Sequence, residues 1–168
     1  MAEVTTERRL KPLDAFLPEY EFAERHVVDV HADAAAAERA LREVTFSDMP
    51  VVRALLFVRG IRSARAEDRV LDSMERRGSV LDRVPGEGVV LGIEGRFWRL
   101  RGGGSEPPAT AVVDFRAGDG SLTTETRVHV PAESRPRFAR YWRVVRPFSG
   151  ITRKQVLRAA KRRAEGRA

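Results

Sequence analysis

The sequence predicts an α+β domain in which a curved antiparallel sheet packs against a long C-terminal helix. Three observations predict it. A single strand-like segment precedes two helical ones, alternating segments parted by glycine-rich turns fill the middle, and helical periodicity runs from Ser134 to Glu165. Strands grouped beside segregated helices indicate α+β rather than alternating α/β order. An antiparallel sheet with one apolar face also needs a cover, and the final helix supplies it.

Residues 1–17 read as a flexible polar lead-in, and 18–168 as one domain. Tyr20 to His31 (YEFAERHVVDVH) alternates. Tyr20, Phe22, Glu24, His26, Val28 and Val30 share one face of this strand, and the bulky apolar residues at its ends turn that face inward. In DAAAAERALREV, Asp33 can cap a helix whose stripe is Ala34, Ala37, Leu41 and Val44. A second helix follows, with Ser47 or Asp48 as cap, Pro50 in its first turn, and Met49, Val52, Leu55 and Leu56 facing inward. Residues 66–77 form a weaker helix that Gly78 stops.

Four strand segments come next. Ser79–Val84 and Val89–Glu94 flank the turn Pro85-Gly86-Glu87-Gly88, and Arg96–Leu100 extends the second of them. Gly102 to Pro108 is a loop. Thr110–Arg116 and Leu122–Val130 flank Ala117-Gly118-Asp119-Gly120, a hairpin turn. Ala111, Val113 and Phe115 share an inward face with Leu122, Thr124, Thr126, Val128 and Val130; Thr123, Glu125, Arg127 and His129 should be wet. In the last helix, Ser134 caps, Phe138, Trp142 and Val145 recur at helical spacing, and Pro147 with Gly150 implies a kink or break.

The chain has 168 residues, 42% apolar and 33% charged, which suits one domain with a modest core. It has no cysteine, so disulfides, thiolate nucleophiles and Cys-ligated metal sites are excluded. No apolar run approaches the roughly 18 residues of a membrane span. The N-terminus lacks a secretory apolar region, so a cytoplasmic location is the default expectation. Charge is uneven. Residues 135–168 carry 12 basic residues and one acid, and residues 1–134 carry 19 basic and 23 acidic.

The opening YEFAERHVVDVHADAAAAERALREVTFSDMP, the segment GEGVVLGIEGRFW and the strand LTTETRVHV before a helix resemble the helix-grip fold of the START and birch-pollen-allergen (SRPBCC) superfamily, more narrowly its bacterial branch. The resemblance spans roughly residues 18–165. It implies a curved sheet gripping the terminal helix with a cavity between them. Members include lipid carriers, hormone receptors, aromatase/cyclases and ring-hydroxylase subunits, so the fold alone does not choose an activity.

Glu24 and His26, two apart in a strand, point the same way and lie between Phe22 and Val28 on the inward face. A carboxylate and an imidazole entering a cavity could serve as an acid/base pair or as anchors for a polar ligand group. The competing reading makes them structural polar contacts. Thr124 and Thr126 could offer hydroxyls, although threonine is also a good strand former. Phe22, Phe46, Met49, Val52, Leu91, Phe97, Val113, Phe115, Phe138 and Trp142 complete the expected wall, and Phe138 and Trp142 serve as core or cavity wall.

The expected function is therefore binding of a small hydrophobic or aromatic ligand, with no cofactor and no metal. His26, His31 and His129 are the only histidines, and no metal-ligand spacing occurs. One alternative is a cofactor-independent cyclase- or dehydratase-type lyase using Glu24 and His26. The other is a protein whose basic tail (Arg153, Lys154, Arg158, Lys161, Arg162, Arg163, Arg167) meets a membrane surface or nucleic acid. Nucleic acid is the weaker choice, because few aromatics interleave with those charges. A homodimer is compatible with the sequence.

Overall fold

The computed structural model describes residues 8–58, 65–99, 105–118 and 120–166, and for 55–58 the backbone alone. Its elements are β1 (Phe22–Asp29), α1 (Ala34–Glu43), α2 (Pro50–Val58), α3 (Val70–Glu75), β2 (Ser79–Val84), β3 (Gly88–Gly95), β4 (Ala109–Gly118), β5 (Ser121–His129) and α4 (Arg135–Ala164). The strands form one antiparallel sheet in the order β1-β5-β4-β3-β2. This is the expected α+β helix-grip architecture, with α4 lying over the β1–β5 half of the sheet and against α1. No described helix is long and apolar enough to cross a membrane.

Local chemistry explains most boundaries. The Asp33 carboxylate accepts the Ala36 amide at 2.8 Å and starts α1. Before α2 the cap is Thr45, which shares a capping box with Asp48 around a short 3-10 turn at Phe46–Asp48; neither Ser47 nor Asp48 takes the expected cap position. Gly88, at φ +140°, lets β3 begin against β4. A Cβ there would lie 2.0 Å from the Phe115 carbonyl oxygen. Of the extension expected over Arg96–Leu100, residues 96–99 are not strand, because the Arg99 amide turns back to the Arg96 carbonyl, and Leu100 lies outside the described residues. Phe97 and Trp98 instead fold onto the N-terminal half of α4. The predicted Leu55 and Leu56 side chains, Gly102–Gly104 in the loop, Asp119 in the hairpin turn and Arg167 in the tail lie outside the described residues.

The inner face of the sheet meets two apolar clusters. The larger joins Val89, Leu91, Val113, Phe115 and Leu122 to Leu41, Phe46, Met49 and Val52, and to Val156, Leu157 and Ala160 of α4. The smaller joins Val128 and Val130 to Phe138, with Phe22, Phe97, Trp98, Tyr141 and Trp142 packed around it. The space between the sheet and the C-terminal half of α4 is thus filled by side chains. The basic terminal segment is correspondingly part of the core on its inner side, and Lys161 and Arg163 are tied to the body through the Asp29 carbonyl and Asp48.

The outer face is drier than the alternation implies. Leu10, Leu13 and Leu17 are buried there against Val84, Val90 and Val112, so part of the expected lead-in is a structural layer. Arg127, expected to be wet, is enclosed by Asp14 and Glu125 and sits 4.6 Å from the centre of the Tyr20 ring. The buried Asp82 carboxylate holds this layer, accepting the Lys11 amide at 3.0 Å and pairing with Arg8. The Lys11 amide, and after it the Arg8 charge, the Arg83 amide and the Lys11 charge, hold the Asp82 carboxyl below its usual 3.8, against the opposing effect of burial. A depressed carboxylate contributes stability above its unfolded value and loses it as pH falls through the lower folded value. Wild type should therefore exceed Asp82→Asn in urea midpoint above pH 4, and the gap should close with further acidification. A gap independent of pH from 7 to 2 would contradict this linkage.

Helix α4 runs without a break from Arg135 to Ala164, although Pro147 and Gly150 predict an interruption. Pro147 removes one backbone hydrogen bond, the one its N–H would give the Arg143 carbonyl. Packing on both sides outweighs that loss: Phe138 is fixed in the aromatic cluster and Val156, Leu157, Ala159 and Ala160 in the main core. Ser134 does not cap through its side chain; its hydroxyl donates to the Pro107 carbonyl at 2.8 Å.

Candidate functional site

Strand β1 is an edge strand, paired only with β5, and its inward residues Phe22, Glu24, His26 and Val28 are half-buried. The register sets Glu24 opposite Thr126 and His26 opposite Thr124. Four polar side chains thus interrupt an otherwise apolar inner face, between the two clusters. Burying polar groups is costly unless they find partners, so the partners define the site.

The Glu24 Oε1 and His26 Nε2 atoms are 3.0 Å apart, and both side chains are about nine-tenths covered, at 8% and 11% exposure. Gly150 of α4 makes room for them: a Cβ at that position would lie 2.7 Å from Glu24 Oε1 and 3.4 Å from His26 Nε2. Thr124 Oγ1 donates to the Asp114 carbonyl at 2.7 Å and accepts from Arg153 Nη1 at 3.2 Å. Arg153 Nε also donates to Ser149 Oγ at 3.3 Å. Burial pushes the Arg153 guanidinium down to about 10, while the negative charges of Glu24 and Asp114 act in the opposite direction. It remains cationic at neutral pH and offsets the charge of the Glu24 carboxylate. Two buried oxygens of this cross-strand group, Glu24 Oε2 and Thr126 Oγ1, have no hydrogen-bond partner. A polar atom buried without a partner marks a place for water or a ligand group.

Beside this group a cleft of about 680 Å³ opens between β1 and α4. Its strand wall is Phe22, Glu24 and His26. Its helix wall presents Trp142 and Ile151 around Pro147 and Gly150, with Arg143, Arg146 and Lys154 as the charged members. Of the expected wall residues, Phe22, Glu24, His26 and Trp142 come together here. Thr124 and Thr126 are buried beneath, on the neighbouring strand. Phe46, Met49, Val52, Leu91, Val113 and Phe115 lie in the packed main core, away from the cleft, and Phe138 and Phe97 back the aromatic wall from behind. The expected hollow is thus displaced to the sheet edge, because the interior beneath the C-terminal half of α4 is occupied.

Phe138 is the hub of that backing. Its ring centre lies 4.8 Å from Phe22, 5.7 Å from Tyr141, 5.8 Å from Trp142 and 5.9 Å from Trp98. Such pairs add about 0.5–1.5 kcal/mol each beyond area burial, so Phe22 and Trp142 are braced from behind. Sequence reasoning missed Gly150, Arg143 and Arg146 as site residues and placed Arg153 and Lys154 only in a basic tail. The available signal was helical spacing. Positions 139, 143, 146, 150 and 154 fall on one side of a helix with Trp142, once that helix is taken as unbroken.

Among the described residues no group of three or more His, Asp or Glu side chains is placed to hold a metal ion. No protein-family model matches the chain, and no curated protein matches it. One solved structure similar to it is the solution NMR structure of an AHSA1-like protein (residues 1–152) from Rhizobium etli, at 17% sequence identity. The match covers 83% of this chain and 82% of that one, with a TM-score of 0.35.

Proposed function

We propose that the protein binds a small, largely apolar or aromatic molecule in the cleft between β1 and α4. The observation that carries this reading is an aromatic wall, Phe22 and Trp142, standing beside a covered Glu24–His26 pair in an open volume of about 680 Å³. That volume falls within the range of small-molecule sites, which combine apolar walls with a few polar anchors. Apolar contact supplies about 25 cal/mol per Å² before ordering costs. Glu24, on the strand wall of the cleft, is the acceptor for a ligand hydroxyl or N–H.

The test is a titration with the neutral dye 1-N-phenylnaphthylamine. Stoichiometric binding with energy transfer from tryptophan is expected, and Trp142→Ala should weaken it about tenfold, near 1.4 kcal/mol. Absence of saturable binding, or equal binding by Trp142→Ala, would reject the cleft as the site.

The unpartnered Glu24 Oε2 also favours a second reading, proton transfer in a cyclase- or dehydratase-type reaction, with Glu24 as base and His26 holding the carboxylate in place. On a panel of poly-β-ketone and β-hydroxy thioester compounds, turnover lost in both Glu24→Gln and His26→Ala supports it. Turnover surviving both changes rejects it.

A further inference from the structure

Resting on the cleft reading above, we propose that the ligand carries an anionic group, a carboxylate, sulfonate or phosphate, held at the helix side of the cleft by Arg143, Arg146 and Lys154. All three side chains are exposed, line the same cleft, and make no ion pair with any acid among the described residues. Elsewhere on α4, cations nearer the body are engaged: Arg135 with Glu21, Arg137 with Glu106, Lys161 with Glu165 and Arg163 with Asp48. Arg140, Arg158 and Arg162 also lack an ion pair among the described residues, so what sets Arg143, Arg146 and Lys154 apart is that all three converge on one cleft.

The sign of the site follows from a count of its charges. Three cations and one carboxylate line the cleft, and that carboxylate is already held by His26 at 3.0 Å. A fourth cation, Arg153, lies beneath it and adds to the positive potential. A low-dielectric wall of Phe22 and Trp142 strengthens the attraction by excluding water on one side. The arrangement suits an amphipathic molecule. Its ring lies on Phe22 and Trp142, its hydroxyl or N–H faces Glu24, and its charged group reaches the arginines, whose fork geometry suits planar oxyanions.

Two dyes with one ring system separate this inference from the reading beneath it. The neutral probe is 1-N-phenylnaphthylamine, and the anionic one is its sulfonated relative 1-anilinonaphthalene-8-sulfonate. At low salt the sulfonate should bind about tenfold tighter than the neutral dye, and the advantage should shrink as sodium chloride is added. In the variant Arg143→Gln/Arg146→Gln/Lys154→Gln the preference should vanish while the neutral dye still binds saturably; the substituted side chains are exposed, so the fold is retained. Equal affinities in wild type, or a sulfonate preference that survives the triple substitution, overturns the anionic assignment and leaves the apolar cleft standing. Failure of both dyes to bind overturns the cleft reading and this inference together.

Discussion

Phe138→Ala is expected to destabilise the protein by about 3–5 kcal/mol, more than any surface change on α4. The side chain is 1% exposed and touches four other aromatic rings, so its removal leaves a cavity that the surrounding rings cannot fill without losing their own contacts. For a domain of this size the thermal midpoint should fall by about 10 °C, measurable by calorimetry. Phe138→Leu, which keeps most of the volume, should cost roughly a third as much. The loss should also reach the cleft, because Phe22 and Trp142 lean on this ring. Dye affinity of the folded variant should drop even though residue 138 is not in the cleft wall. A Phe138→Ala protein with an unchanged midpoint would mean that the aromatic cluster does not bear on the fold.

Gly150→Ala should destabilise by about 1–3 kcal/mol, the usual cost of overpacking. An ordinary helix glycine behaves oppositely and gains up to about 1 kcal/mol when replaced by alanine. The difference comes from the 2.7 Å approach of the added methyl to Glu24 Oε1, in a carboxylate that His26 and its own burial prevent from moving freely. A double-mutant cycle isolates this contact. In a Glu24→Ala background the methyl has space, and Gly150→Ala should revert to the ordinary helix gain. Urea midpoints of the four proteins decide the matter. A stabilising Gly150→Ala in the native background would mean that α4 lies farther from β1 than this contact requires.

The same contact shows where sequence reading stopped. Glu24 and His26 were legible as a same-face pair because strand periodicity is a local property, and the structure places both beside the cleft. What they face was not legible. Gly150 reads from sequence as a helix breaker, and its actual role, admitting a carboxylate from a strand more than a hundred residues away, depends on packing between distant segments. Arg153 reads as one more tail cation, yet it turns inward and donates to Thr124. Leu10, Leu13 and Leu17 read as a lead-in, because three leucines among polar residues carry no strong period. Their burial is decided by the apolar outer residues Val84, Val90 and Val112, which needed a cover.

By itself the sequence determined the element types, the hairpin positions, the antiparallel order of β4 and β5, and the inward faces of β1 and β5. These follow from periods of two and 3.6 residues, and from turn residues whose backbone freedom is a local matter. Tertiary structure alone decided that α4 stays whole through Pro147, that the interior beneath its C-terminal half is solid, and that the open volume lies at the β1 edge between aromatic and basic side chains. Each of these outcomes is a contest between one local preference and many long-range contacts, and the contacts, summed over a buried face, outweigh the preference.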